Sequence, residues 1–261
     1  MCWGLIMANE IWHLTNDFLK LSAADVFKHI LRDDKNNYNR SESELDVIKL
    51  LDSAIILYVE SLQAAYRLVD KWENNISNQA AMALLGATLN YILLARHGVL
   101  LGYYPEVRDL LRSCFERISS CCVFFHDENF ARRFLSGEEI RPSKIREELS
   151  KLEQDPDKSR ELHGRLGKYY KSLCKVVHPN LKSFQIRYGG KDLDERVGLD
   201  YMFGGLQSLK VGNAAILGVL QIVLSALHMF RAIVHEESGA WETEYQKISQ
   251  KCDEMVTRLK T

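Results

Sequence analysis

The sequence predicts an all-α fold, a multi-helix bundle, and three observations carry that prediction. Glycine and proline number 15 and 4 in 261 residues, about 7% against roughly 12% in average usage, so few tight turns are available. Apolar residues recur at spacings of three and four along most of the chain, the period of an amphipathic helix. Hydrophobic residues make up 46% and charged ones 26%, which excludes a disordered, collagen-like or disulfide-dense chain. The length suits one large domain or two small ones. With no internal repeat and no low-complexity linker, one helical domain over 1–261 is the simplest reading.

The elements follow in order. Residues 44–73 place Val47, Leu50, Leu51, Ala54, Leu57, Tyr58, Ala65, Leu68 and Val69 on one stripe, and Ser41 followed by Glu44 is a capping-box start. Residues 78–101 carry no charge before Arg96, the pattern expected of a central helix buried all round. Pro105 suits the first turn of the next helix, where its missing N–H costs nothing. Val107, Leu111, Cys114, Ile118, Cys121 and Phe125 then keep a 4-3-4-3-4 rhythm. A short helix near 128–136 ends at Gly137.

Residues 138–161 hold fourteen charged side chains. Pro142 and Pro156 bracket a short helix, and the stretch reads as a solvated excursion from the bundle. A helix over about 158–178 turns Leu162, Leu166, Tyr169, Leu173 and Val177 inward and stops at His178, because Pro179 disfavours helical geometry before it. Phe184–Tyr188, Gly189-Gly190 and Arg196–Tyr201 suggest a small β-hairpin or ordered loop within 184–203. Two helices follow, over about 205–236 and 240–260. The last sets Trp241, Tyr245, Ile248, Cys252, Met255 and Leu259 in an a/d seam, too short for a free coiled coil. It either docks on its own bundle or forms a homodimer seam.

Val211–Phe230 is 20 residues without a charge, about the length that crosses a bilayer. Asn213, Gln221, Ser225 and His228 gather on one face of it, a stripe that lipid would penalise and a protein interior could pair. We therefore expect no membrane insertion. The first basic residue is Lys20, so Met1–Met7 lacks the charged start of a signal peptide, and Met7 is an alternative start. The six cysteines include no C-x-x-C pair. Cys114, Cys121 and Cys122 lie on one helix and read as small buried hydrophobes, which fits a reducing cytoplasm.

The chain's net charge is −1, so no global field points to a polyanion. Locally the balance differs. Leu162–Lys191 contains seven basic residues and no acidic one. Lys168, Lys171, Lys175 and His178 share one helix flank, and Lys182, Arg187 and Lys191 follow. Tyr169, Tyr170, Phe184 and Tyr188 are interleaved, the combination that holds phosphates and stacks bases. The competing reading is a solvated face neutralised by the acidic residues of 138–161. His178 can serve as a cation at a helix C-terminus or as a titrating catalytic group. Arg112 and Glu116 stand four apart and form an ordinary surface ion pair unless the side that also carries Val123 and Phe124 is covered. In that case they hold helices together or line a pocket. His97 and the doublet His126-Asp127 raise a metal site. Phosphate-loop, dinucleotide-binding, zinc-protease and nucleophile-elbow motifs are absent.

Three resemblances follow from these residues. Val123-Phe-Phe-His-Asp127 with His97 resembles the HD-type metal-dependent phosphohydrolases, although the glycine after the doublet is replaced by Glu128-Asn129. That resemblance implies a divalent metal; no cofactor is expected otherwise. Arg112-Ser-Cys-Phe-Glu116 and Tyr170-Lys-Ser-Leu-Cys-Lys-Val-Val-His178-Pro179 resemble a loose group of prokaryotic helical proteins with an R-x-x-x-E helix and a Tyr-containing helix ending in His-Pro. More distantly the architecture is similar to HEPN-type domains, many of them ribonucleases, but their R-x(4–6)-H motif is missing. The expectation is a cytoplasmic, non-catalytic binding module. RNA or another phosphate-bearing ligand would meet Lys168, Lys171, Lys175 and Arg187, with Tyr188 stacking. The alternative is a hydrolase, either HEPN-like with His178, Arg112 and Glu116 as candidates or HD-type with His97, His126 and Asp127.

Overall fold

The computed structural model describes residues 42–68, 75–101, 104–177, 209–234 and 239–260, together with Ser22. Among them are eight α-helices and no strand: α1 Glu42–Tyr66, α2 Ile76–Leu101, α3 Tyr104–His126, α4 Glu128–Leu135, α5 Pro142–Lys151, α6 Pro156–Val177, α7 Leu209–Val234 and α8 Gly239–Lys260. The all-α bundle expected from the apolar period is the observed architecture. The hairpin expected within 184–203 lies outside the described residues.

The main core joins α1, α2, α3 and α7, with α8 laid across α1 and α7 and α6 across α3. The 4-3-4-3 rhythm of α3 becomes its buried stripe: Val107, Leu111, Cys114, Ile118 and Cys121 are all buried. Helices α2 and α3 form an antiparallel hairpin, in which the Cys121 thiol reaches the Ala81 carbonyl at 3.6 Å. In α7 the apolar residues from Ile216 to Phe230 face inward. Phe230 meets Tyr58 of α1 edge-on, with ring centroids 5.1 Å apart. The Tyr58 hydroxyl donates to the Leu85 carbonyl at 2.7 Å, so the one polar atom of that ring is satisfied where burial would otherwise penalise it.

A second, smaller core caps the far end of the α2–α3 hairpin. Ala80, Val123, Phe124, Phe130, Ala131 and Ile145 are buried there, with Phe134, Ile140 and Leu149 packed around them. Asp127 starts α4 by accepting the Asn129 N–H at 2.9 Å. Gly137 ends it at φ +83°, where the Gly137 and Glu138 N–H groups close back on the carbonyls of Phe134 and Arg133. That paired closure needs a left-handed residue, which is why glycine stands there. The charged stretch 138–161 is anchored as well as solvated. Ile145 of α5 is only 3% exposed, while the charges on the other face of α5 remain in water.

Two sequence expectations change in detail. Helix α2 is not buried all round: Ala83, Ala87, Asn90, Leu94 and His97 form an exposed 4-3-4-3 stripe, with Leu94 57% exposed. Lack of charge marks a surface that can be buried, and only the neighbours decide whether it is. By length and composition Ile76–Leu100 is apolar enough to cross a membrane, yet its inner face is packed against α1 and α3. The polar stripe of α7 is likewise not paired inside the bundle. Gln221, Ser225 and His228 are exposed and line an open groove with Tyr169, Tyr245 and Asp253; the Ser225 hydroxyl donates back to the Gln221 carbonyl at 2.8 Å.

The α8 seam is engaged within the chain. Ile248 and Cys252 are buried in the main core, with Trp241, Tyr245 and Met255 packed against it. The Trp241 indole donates to the Ser61 hydroxyl at 2.7 Å, and Trp241 stacks on Tyr245 at 5.3 Å. All five described cysteines are free thiols. Burial raises Cys114 to about 12 and Cys252 to about 11, so these are packing groups rather than nucleophiles.

Candidate functional site

The basic segment begins on α6. Asp155 caps that helix by accepting the N–H groups of Asp157 and Lys158 at 2.9 and 3.3 Å. Leu173 is buried against the core, and Lys168 and Lys171 are exposed on the opposite flank. Lys175 continues α6 one turn further; His178, Arg187 and Tyr188 lie outside the described residues.

Most of the acidic residues before this flank are already engaged. Lys144 lies 3.0 Å from Glu147 and 2.8 Å from Glu148, and Lys151 lies 2.7 and 2.9 Å from the same pair. These hydrogen bonds, Lys151 first and then Lys144, lower Glu147 to about 2. Arg160 pairs with Asp157 at 2.5 Å, Lys158 with Asp155 at 3.8 Å and Arg165 with Glu161 at 3.9 Å. Among the described residues, no carboxylate lies within ion-pairing distance of Lys168 or Lys171. These carboxylates are therefore held by Lys144, Lys151, Lys158, Arg160 and Arg165 rather than by Lys168 or Lys171.

Beneath the lysine flank, α6 meets α3 through a polar cluster. The Tyr170 hydroxyl donates to Glu116 Oε1 at 2.8 Å, and the Arg146 guanidinium of α5 lies 4.0 Å over the Tyr170 ring, a cation–π geometry. Arg112 is held beside Cys174, Glu116 and Tyr170. Burial opposes its charge, but the Cys174 hydrogen bond and the field of Glu116 outweigh it and raise its pKa. Val123 and Phe124 are buried, so the side of α3 that bears Arg112 and Glu116 is covered. The expected local ion pair is instead a tie between three helices. Arg112 Nε and Arg146 Nη1 are buried without a hydrogen-bond acceptor, and such donors are few in native structures.

Burial, and then the Glu116 hydrogen bond, raise Tyr170 from 10.0 to about 12. The sign of the consequence is set by the protonated form, which the folded state favours. This contribution is complete below about pH 10 and is lost as pH rises toward 12, because the unfolded phenol ionises first. Tyr58, Tyr66 and Tyr169 are raised too, so only a difference isolates Tyr170. In Tyr170→Phe, stability at neutral pH falls by about 1.5 kcal/mol, the scale of a partly exposed hydrogen bond to a charged group. Its thermal stability also declines less between pH 10 and 12 than that of the parent. Thermal melts of both proteins across that range check it.

The metal candidates do not converge. His97 and His126 stand near opposite ends of the antiparallel α2–α3 hairpin, about 30 Å apart at 1.5 Å per residue. Asp127 is occupied as the α4 cap, and no three His, Cys, Asp or Glu side chains gather among the described residues. Sequence reasoning misses Arg146, because it lies inside a run that reads as solvated. The spacing of Ile145 and Leu149 is the available signal that this helix has an inner face. No protein-family model, curated protein or solved structure matches this chain.

Proposed function

We propose that the chain is a non-catalytic binding module for a phosphate-bearing ligand, with single-stranded RNA as the ligand class to test first. The observation that supports this is the charge pairing around α6. Lys144, Lys151, Lys158, Arg160 and Arg165 have carboxylate partners, whereas Lys168 and Lys171 are exposed and lack them among the described residues. Counter-ions held by an unpaired row of cations are released when phosphates replace them, which drives binding. Tyr169, expected to face inward, is 40% exposed with its ring edge-on to Phe115 at 5.1 Å, and its open part offers a surface on which a base can stack. A reducing, cytoplasmic setting belongs to the same reading.

The test is fluorescence anisotropy with a labelled single-stranded RNA over a salt series, with the RNA checked for integrity afterwards. Binding is expected to fall with salt, and Lys168→Glu with Lys171→Glu to weaken it equally across sequences. The same double variant flattens the logarithmic salt slope by about 0.7 for each phosphate no longer neutralised. Undiminished binding in the variant, or no binding at low salt, overturns the assignment to this flank. Intact fold with cleaved RNA favours the hydrolase alternative.

A further inference from the structure

A separate cavity of about 300 Å³ lies on the other side of Arg146, between α3, the end of α4 and α5. We infer that it is a binding site for a small aromatic monocarboxylate, with the carboxylate at Arg146 and the ring among Phe115, Phe124 and Phe134. Its volume sits at the lower end of small-molecule sites, which are apolar with a few placed polar groups. The walls fit that description: Phe124 is 1% exposed, and its ring lies 5.3 Å from that of Phe134. Three phenylalanine side chains among the lining residues favour an aromatic body.

The head group follows from the charges. One face of the Arg146 guanidinium is covered by Tyr170, which leaves the in-plane N–H edge of a side chain that lines the cavity to recognise a ligand. A planar fork of this kind matches a carboxylate. The acidic residues on the wall do not cancel it. Glu116 receives the Tyr170 hydroxyl and lies in the field of Arg112, and Glu138 is closed by two hydrogen bonds from Arg133 at 2.8 and 2.5 Å. Glu139 remains exposed at the rim and disfavours a second negative charge. A monoanion fits, and a phosphate dianion fits less well, so this site is independent of the lysine flank of α6.

The experiment measures binding of 1-naphthoate and of uncharged 1-naphthamide to the full chain by calorimetry. Isotope-filtered NOE spectra of the labelled chain report which aromatic protons of the protein the ligand touches. Naphthoate is expected to bind about tenfold more tightly than the amide, the scale of one hydrogen bond to a charged group, with contacts to phenylalanine ring protons. Arg146→Met removes that preference and leaves the amide unchanged. Arg146→Lys, which keeps the charge but not the fork, retains part of it. Ser120→Phe, placed on the cavity wall, excludes both ligands while the melting transition persists. Equal affinity for acid and amide overturns the inference. So does a preference that survives in Arg146→Met, or no binding of either compound to the folded parent. None of these results bears on RNA binding by Lys168 and Lys171.

Discussion

Replacing Arg96 with methionine is expected to lower the stability of the fold by about 3–5 kcal/mol, the range for stranding one partner of a buried ion pair. Arg96 of α2 is 2% exposed and its partner Asp52 of α1 16%. The guanidinium spans the carboxylate, with Nε to Oδ1 at 2.7 Å and an Nη to Oδ2 at 3.2 Å. Removing the arginine leaves the carboxylate between two packed helices with its principal counter-charge gone. Asp52→Leu alone should cost a similar amount for the opposite reason. The double variant Asp52→Leu with Arg96→Met should recover much of the loss, because two apolar groups of similar volume need no charge solvated. Urea unfolding of the four proteins forms a double-mutant cycle. A nearly additive double variant would refute the pairing energy.

Phe230→Ala is expected to destabilise by about 3–5 kcal/mol, since a buried phenyl ring is removed and the cavity it leaves collapses only partly. Phe230 is fully buried and braced edge-on by Tyr58, whose hydroxyl is fixed to the Leu85 carbonyl. Rotation of the tyrosine into the space would break that hydrogen bond, so the site has little freedom to close. The contrast is Ser225→Ala, five residues earlier on the exposed stripe of α7, which should change stability by less than about 0.5 kcal/mol. Equal effects at the two positions would show that the inner and outer faces of α7 are wrongly assigned.

The helices were legible because helical periodicity is a local property. The stripe Val107–Cys121, the α8 seam, the glycine stop at 137 and the helix start at Pro142 each depend on residues within a turn or two, and each appears where its pattern places it. Burial was less legible. The uncharged α2 and the uncharged run in α7 both suggested helices surrounded on all sides, yet each keeps one face in water. An uncharged surface is compatible with either state, and the choice belongs to the elements packed around it.

The site divides in the same way. Composition alone separated a basic stretch from an acidic one, but it could not say whether they neutralise each other. The ion pairs of α5 and early α6 answer that, because helical spacing brings Lys144 and Lys151 onto the same two glutamates. Arg112 and Glu116 looked like a local pair; their actual partners, Cys174 and Tyr170, lie more than fifty residues away. By itself the sequence determined the helical class, the positions of most helix ends and the basic stretch after residue 161, all properties set by neighbours in the chain. Only the tertiary structure decided that Arg96 meets Asp52, that Arg146 covers Tyr170 and that His97 stands far from His126. Those outcomes depend on which helix faces which, a long-range packing choice that no local pattern encodes.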